Sequence, residues 1–266
     1  MMSALLLSAL PSLVSSDACS SCTCYERLDK FFVDCSYMGL STIPTDIPAK
    51  TSRLYLNGNN ITEVGYDNRI YYNDNLRELY LHNNPITNIH EDAFQNTTHI
   101  HTLLLHYTSL GNITTPIFKN LKHLKWLWLN NANLKEIDDH AFADLTELYE
   151  LQFFGNNITE VGDSMFSNLT KLEHLYAWNN PGLSKPTCCT LCGLDPSLVT
   201  IKWQGIAMGD KLSCGCDVQA ACSTNPTCFV ETCNNFVYSY GSKQSSVSYV
   251  LLLMSIFVTF AMSYWL

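Results

Sequence analysis

Between Thr51 and Leu183 the chain repeats one pattern at a nearly constant period, and no other feature constrains the fold as strongly. Leu54, Leu79, Leu103, Leu127, Leu151 and Leu175 follow one another at steps of 25, 24, 24, 24 and 24 residues. Two positions further on stand Leu56, Leu81, Leu105, Leu129, Phe153 and Ala177. Three beyond those come Asn59, Asn84, Thr108, Ala132, Asn156 and Asn180. Each unit reads L-x-x-L-x-L-x-x-N-x-L. A unit this short cannot bury its apolar side alone, so neighbours must stack and share one continuous core, which means a solenoid.

That signature is identified as the leucine-rich repeat. The fold class expected is an α/β-type repeat solenoid, a horseshoe with a parallel concave sheet and disulfide-stapled caps at both ends. The L positions and the apolar registers that follow them point inward. Among the latter, Ile61, Ile86, Leu110, Leu134 and Ile158 form one series, and Val64, Ile89, Ile113, Ile137 and Val161 another. Phe94, Phe118, Phe142 and Phe166 mark the long extracellular subtype of the repeat. The inward Asn register is expected to bond backbone groups of adjacent turns, because buried amides need partners. Thr108 can do part of this and Ala132 cannot. The first unit, at 25 residues, carries Ile70 or Tyr71 where others place Phe.

The ends of the chain differ from the middle. Twelve cysteines fall in two clusters, four before the repeats and eight after, with none between. An even, terminal grouping in an exported chain reads as disulfide staples. Export is expected from residues 1–16, a short apolar run with a small-residue cleavage site before Asp17. Residues 17–50 read as a Cys-rich N-terminal cap, 51–183 as six repeats and 184–236 as a second Cys-rich cap. That second cap holds Cys188, Cys189, Cys192, Cys214, Cys216, Cys222, Cys228 and Cys233, whose pairing is left open. Residues 237–266 contain small and polar residues followed by the uncharged run Val247 to Leu266. The run is long enough to cross a bilayer. Small residues, a polar spacer and an apolar tail are also the pattern for glycosylphosphatidylinositol attachment. Attachment is expected at Ser239, with Asn235 and Gly241 as alternatives, and the alternative to an anchor is a single transmembrane helix.

The segment Cys19-x2-Cys22-x-Cys24-x10-Cys35 resembles the N-terminal cap of extracellular leucine-rich-repeat proteins. That resemblance implies the pairs Cys19–Cys24 and Cys22–Cys35, each stabilising by roughly 2–4 kcal/mol. The words from Leu40 to Leu56 resemble the cap-to-repeat junction of variable lymphocyte receptors of jawless vertebrates. They are also similar to the junctions of Toll-type and neuronal leucine-rich-repeat receptors. The family's C-terminal cap opens with Asn-Pro, then a Trp and a Cys-x-Cys; Asn180-Pro181 is present, and Gly182 to Cys192 departs from the rest.

Strand residues alternate faces, so in x-x-L-x-L-x-x the x side chains stand on the open side of the sheet. The middle column across six units is Tyr55, Tyr80, Leu104, Trp128, Gln152 and Tyr176. The column two residues before it runs Arg53, Glu78, Thr102, Trp126, Glu150 and His174. The one two residues after runs Asn57, His82, His106, Asn130, Phe154 and Trp178, and Tyr107 and Tyr149 lie at the borders. A solvated sheet has no structural need for three Trp, a Phe and several Tyr, which are residues enriched in binding hot spots. The candidate ligand-binding residues are therefore Tyr55, Tyr80, His82, Leu104, His106, Trp126, Trp128, Gln152, Phe154, Tyr176 and Trp178. The competing account is that these rings only stiffen the sheet by cross-strand pairing.

Five N-glycosylation sequons, at Asn60, Asn96, Asn112, Asn157 and Asn168, all avoid those columns. His82 and His106 lie close enough to share a metal, but no third ligand accompanies them. Contact with a partner, or a pH-dependent contact, is the better reading. No catalytic constellation and no phosphate loop is present, so neither an enzyme nor a cofactor is expected. A net charge of −9 with only 15 Lys and Arg argues against nucleic acid. The expected protein is a lipid-anchored recognition receptor on the extracellular face of the plasma membrane. Its ligand is a protein or glycan, and the resemblance implies immune recognition. The alternative is an adhesion molecule or co-receptor for an endogenous protein. With a lipid anchor, any signal passes through a signalling co-receptor.

Overall fold

A computed structural model describes residues 18–65, 73–114, 116–184, 186, 190–191, 194, 199–203, 212–214 and 236–238. A short 3-10 turn, Ala18–Ser20, precedes an antiparallel hairpin of β1 (Thr23–Arg27) and β2 (Lys30–Asp34). The repeats then supply β3 (Thr51–Tyr55), β5 (Glu78–Tyr80), β7 (Thr102–Leu104), β9 (Trp126–Trp128), β11 (Glu150–Gln152) and β12 (His174–Ala177). A further strand, β13 (Thr200–Trp203), follows. Together these form one nine-stranded sheet in the order β1-β2-β3-β5-β7-β9-β11-β12-β13, parallel from β2 onward. Two small ladders flank it. One joins β4 (Glu63–Val64) to β6 (Asn88–Ile89), and the other joins β8 (Asn112–Ile113) to β10 (Glu136–Ile137). A separate antiparallel pair, β14 (Leu212–Cys214) and β15 (Phe236–Tyr238), lies beyond.

The register is the one the leucine period predicts. Leu54, Leu79, Leu103, Leu127, Leu151 and Leu175 are directly opposite one another across the sheet, and every one is fully buried. Behind them the buried Phe94, Phe118, Phe142 and Phe166 form a second column, with Phe118 and Phe142 stacked at 6.0 Å. The return segments contain no α-helix among the described residues. They are chains of single turns in which the backbone N–H of Leu121, Leu145 and Leu169 bonds the carbonyl of the Phe three residues earlier. The physical reason is length: a 24-residue unit that spends residues on a strand, an Asn turn and a second ladder has few left for a helix.

The Asn ladder forms where the sequence allows it. Asn156 donates from Nδ2 to the carbonyls of Leu129 and Phe153, and its Oδ1 accepts from the backbone N–H of Ala132 and Leu134. Asn59 makes an equivalent set, and Asn84 and Asn180 make the same two donations while each accepts from one backbone N–H, of Ile61 and Ile158. Thr108 donates only to Leu105 O, and Ala132 supplies no side-chain bond. The ladder is therefore interrupted over two consecutive turns. At the N-terminal end the disulfides are Cys19–Cys24 and Cys22–Cys35, as the resemblance implied.

The sheet also continues past Leu183. In β13, Ile201 pairs with Leu175, Lys202 with Tyr176 and Trp203 with Ala177. The step is 26 residues, with Trp in place of the second leucine and no Asn behind it, so the repeat pattern alone does not reveal this strand. Trp203 is buried, meets Phe153 and Phe166 edge-on, and donates from Nε1 to Ser184 O. Residues 1–16, Ile70, Tyr71, Ser239, Asn235, Gly241 and seven of the eight C-terminal cysteines lie outside the described residues. Of Cys214 only the backbone strand is described.

Candidate ligand-recognition face

The open side of the sheet carries all three x columns. Trp126, Trp128, Tyr176 and Trp178 share this one face, because strand alternation leaves them opposite the buried leucines. Trp126 and Trp178 are the most accessible of them, at 36% and 43% exposed. Tyr55, Tyr80, Trp128, Gln152, Phe154, Tyr176 and the two histidines are half-buried. Leu104 differs from expectation: it is 7% exposed, covered by its neighbours, and offers little to a ligand.

The rings are held by one another and by acids. Tyr55 stacks on Tyr80 at 4.6 Å, and Phe154 on Trp178 at 4.6 Å with planes 8° apart. Glu78 pairs with Arg53 at 2.7 Å and accepts from the Tyr80 hydroxyl at 2.6 Å. Burial, reinforced by that bond to Glu78, drives the Tyr80 hydroxyl well above its ordinary range. Glu150 accepts from Trp128 Nε1 at 2.9 Å and also from Gln152 Nε2. Lys202, on the added strand, sits over the Tyr176 ring at 4.8 Å and extends the middle column by one residue. Burial and the nearby Glu150 raise the Tyr176 pKa.

His82 and His106 stack face to face at 4.3 Å. Each buries Nδ1 without a hydrogen-bond partner. Burial lowers both pKa values, and that of His106, further lowered by His82, falls to about 4. A group so depressed stays neutral across the range in which a histidine switch operates. At neutral pH the imidazoles offer flat, uncharged contact surface, and any pH-dependent contact by this pair lies below the ordinary histidine range. Among the described residues no group of three or more His, Cys, Asp or Glu is placed to hold a metal ion.

One residue that the pattern left at the border gains importance. The fourth residue after the first sheet leucine has a left-handed backbone in every unit: Gly58, Asn83, Tyr107, Asn131, Gly155 and Asn179 all have φ between 52° and 70°. Gly and Asn adopt this conformation readily, whereas a bulky side chain there is an outlier. Tyr107, at φ 54°, is nonetheless 56% exposed and meets His106 edge-on at 5.5 Å. The exposed Tyr37 of the N-terminal cap has the same backbone at φ 56°, and Tyr107 differs from it in standing beside the candidate face. Only the dihedral angle reveals the strain.

All five sequon asparagines are exposed, and none lies on the three columns. Asn112 donates to Glu136 and Asn168 to the Ala143 carbonyl, both on the flanks away from the sheet face.

A parallel sheet with a 24-residue step, an inward Asn ladder and a Phe column behind it define a leucine-rich-repeat solenoid. The comparisons agree. Residues 62–185 match the model of the BspA type leucine rich repeat region in six copies. Leucine-rich repeat-containing protein 3 of Danio rerio is 38% identical over 96 residues, which is 35% of this chain and 35% of that protein. The chain thus spans about a third of the length of the curated relative it matches. The crystal structure of a TLR13-ssRNA13 complex has the same fold, at a TM-score of 0.50 and 24% identity. It covers 59% of this chain, and 23% of that chain is covered.

Proposed function

We propose that this chain is a recognition receptor whose sheet face binds an extracellular protein or glycan, held at the outer face of the plasma membrane by a glycosylphosphatidylinositol anchor at Ser239. The observation that carries the reading is a sheet face without glycosylation sequons, bearing exposed Trp126 and Trp178 beside a strained, exposed Tyr107. Large rings clamped by stacking and by Glu78 and Glu150 give contact area at little entropic cost on binding. The role is recognition and not catalysis. The sequons and the signal-like residues 1–16 support export, and the small-residue segment before Val247 supports the anchor.

The neighbouring TLR13 structure is a complex with RNA. For this chain a protein or glycan fits the face better than RNA does. Arg53 and Lys202 are the Lys and Arg of the sheet columns, and Arg53 is neutralised by Glu78. Such a surface releases few counterions from a phosphate backbone.

The test presents the full chain to a glycan array, to whole microbial cells, to membrane proteins of its own source and to single-stranded RNA. Trp178→Ala and Trp128→Ala should each weaken the retained interaction by at least about 2 kcal/mol without altering the circular-dichroism spectrum. Retention of an endogenous protein in place of a microbial ligand would favour adhesion over immunity. Undiminished binding by both variants would remove the sheet face from the mechanism. Phosphatidylinositol-specific phospholipase should release the protein from cells that express it; retention would favour a spanning helix.

A further inference from the structure

At the edge of the sheet where strands β9, β11 and β12 begin, a cleft of about 550 Å³ opens beside the recognition face. This is the size range of small-ligand sites. Its walls come from the residues that lead into the strands, so it is separate from the Trp128–Trp178 surface and shares only Trp126 with it. Trp126 and Tyr149 meet at 6.3 Å with planes 64° apart, making an aromatic corner. Such a corner takes the C–H face of a pyranose on one ring and its rim on the other.

The cleft is lined by two lysines and two glutamates, which differ in how they are engaged. Glu147 is shared by Lys171 at 3.8 Å and His123 at 3.5 Å. Glu173 is engaged by the Tyr149 hydroxyl, whose other neighbour is His174 Nε2 at 3.2 Å. Lys125 has no carboxylate within 4.0 Å among the described residues, although its charge is felt by Glu147. The column leading away from it along the same edge is Arg77, His101, Lys125, with His99 and His123 stacked at 5.7 Å alongside. Burial lowers the His101 pKa, with Lys125 and Arg77 adding to it and Glu147 opposing them. The carboxylates of Glu147 and Glu173 keep lone pairs that can accept from hydroxyls.

We propose that this cleft binds the carboxylate-bearing unit of an acidic saccharide. The sugar ring lies in the Trp126–Tyr149 corner, its carboxylate faces Lys125, and its hydroxyls donate to Glu147 and Glu173. Further acidic units extend along the Arg77–Lys125 edge, because the advance per pyranose is comparable to the spacing of neighbouring strands. An acidic peptide would satisfy Lys125 but would leave the corner and the hydroxyl acceptors unused.

The test titrates the full chain with tetragalacturonate, with its methyl ester, with sialyllactose and with oligoglutamate. The two acidic saccharides distinguish a polymeric uronide from a terminal sialic acid, and binding of either supports the proposal. Lys125→Gln should weaken the acidic sugar about fivefold or more and leave the ester unchanged, because only the charge-assisted contact is lost. Trp126→Ala should weaken acid and ester alike by about tenfold through lost ring contact. Trp178→Ala should change neither, which separates this cleft from the sheet-face reading. Equal binding of acid and ester, equal binding of oligoglutamate, or an unaffected Lys125→Gln variant would each overturn the proposal. Thr170 of the Asn168 sequon lies on the rim. Binding seen only after Asn168→Gln would assign the cleft to the chain's own sugar and likewise overturn it.

Discussion

At the scale of single residues, two positions break the rule that their register follows, in opposite senses. Tyr107 stands where the other units have Gly or Asn, in a left-handed backbone that disfavours a bulky side chain. Tyr107→Asn should raise stability by about 1 kcal/mol in urea denaturation while weakening ligand retention. A variant that is no more stable would mean the ring contributes packing that offsets the strain. Ala132 stands where Asn156 one turn on makes four buried bonds. Ala132→Asn should restore one of the two missing rungs and add about 1 kcal/mol, since the carbonyls of Leu105 and Leu129 can each accept a second donor, as Leu56 O does from Asn59 and Asn84. Destabilisation would show that the interrupted turns are packed too tightly for an amide.

At the scale of elements, the sheet columns behave as cross-strand ladders. The stacked His82–His106 pair couples strands β5 and β7 to pH. Both folded-state pKa values lie below the ordinary value of 6.5, that of His106 at about 4. The unfolded chain therefore binds more protons than the folded one between these limits. Stability from this pair is fully present above about pH 6.5 and is lost as pH falls toward 4. His106→Gln should flatten that decline in thermal melts taken across the range. An unchanged slope would place the acid sensitivity elsewhere.

Over the whole molecule, a solenoid contacts itself only between neighbouring turns, so each end needs a cover. The N-terminal end has a hairpin and two disulfides. Toward the other end, Trp203 seals the last described turn against Phe153 and Phe166. Trp203→Ala should cost about 3–5 kcal/mol. Hydrogen exchange should quicken first in β12 and β11 and fall off toward β5. Uniform loss of protection would mean the array unfolds as one unit and not turn by turn.

The repeat, its inward leucines, the broken Asn ladder and the set of side chains on the open face were all legible in the sequence, because a parallel ladder in register carries a 24-residue period directly into space. Even the burial of Phe94 through Phe166 follows from that arithmetic. Other features needed the fold. Strand β13 hides behind a 26-residue step and a Trp, and Leu104 is covered by neighbours from other units. The strain at Tyr107 is a backbone angle that no residue type announces. The cleft at Lys125, Trp126 and Tyr149 forms only when three successive turns place their strand entrances side by side. Periodicity determines which way a side chain points, whereas what it touches across a turn depends on the packing of residues some 24 positions away.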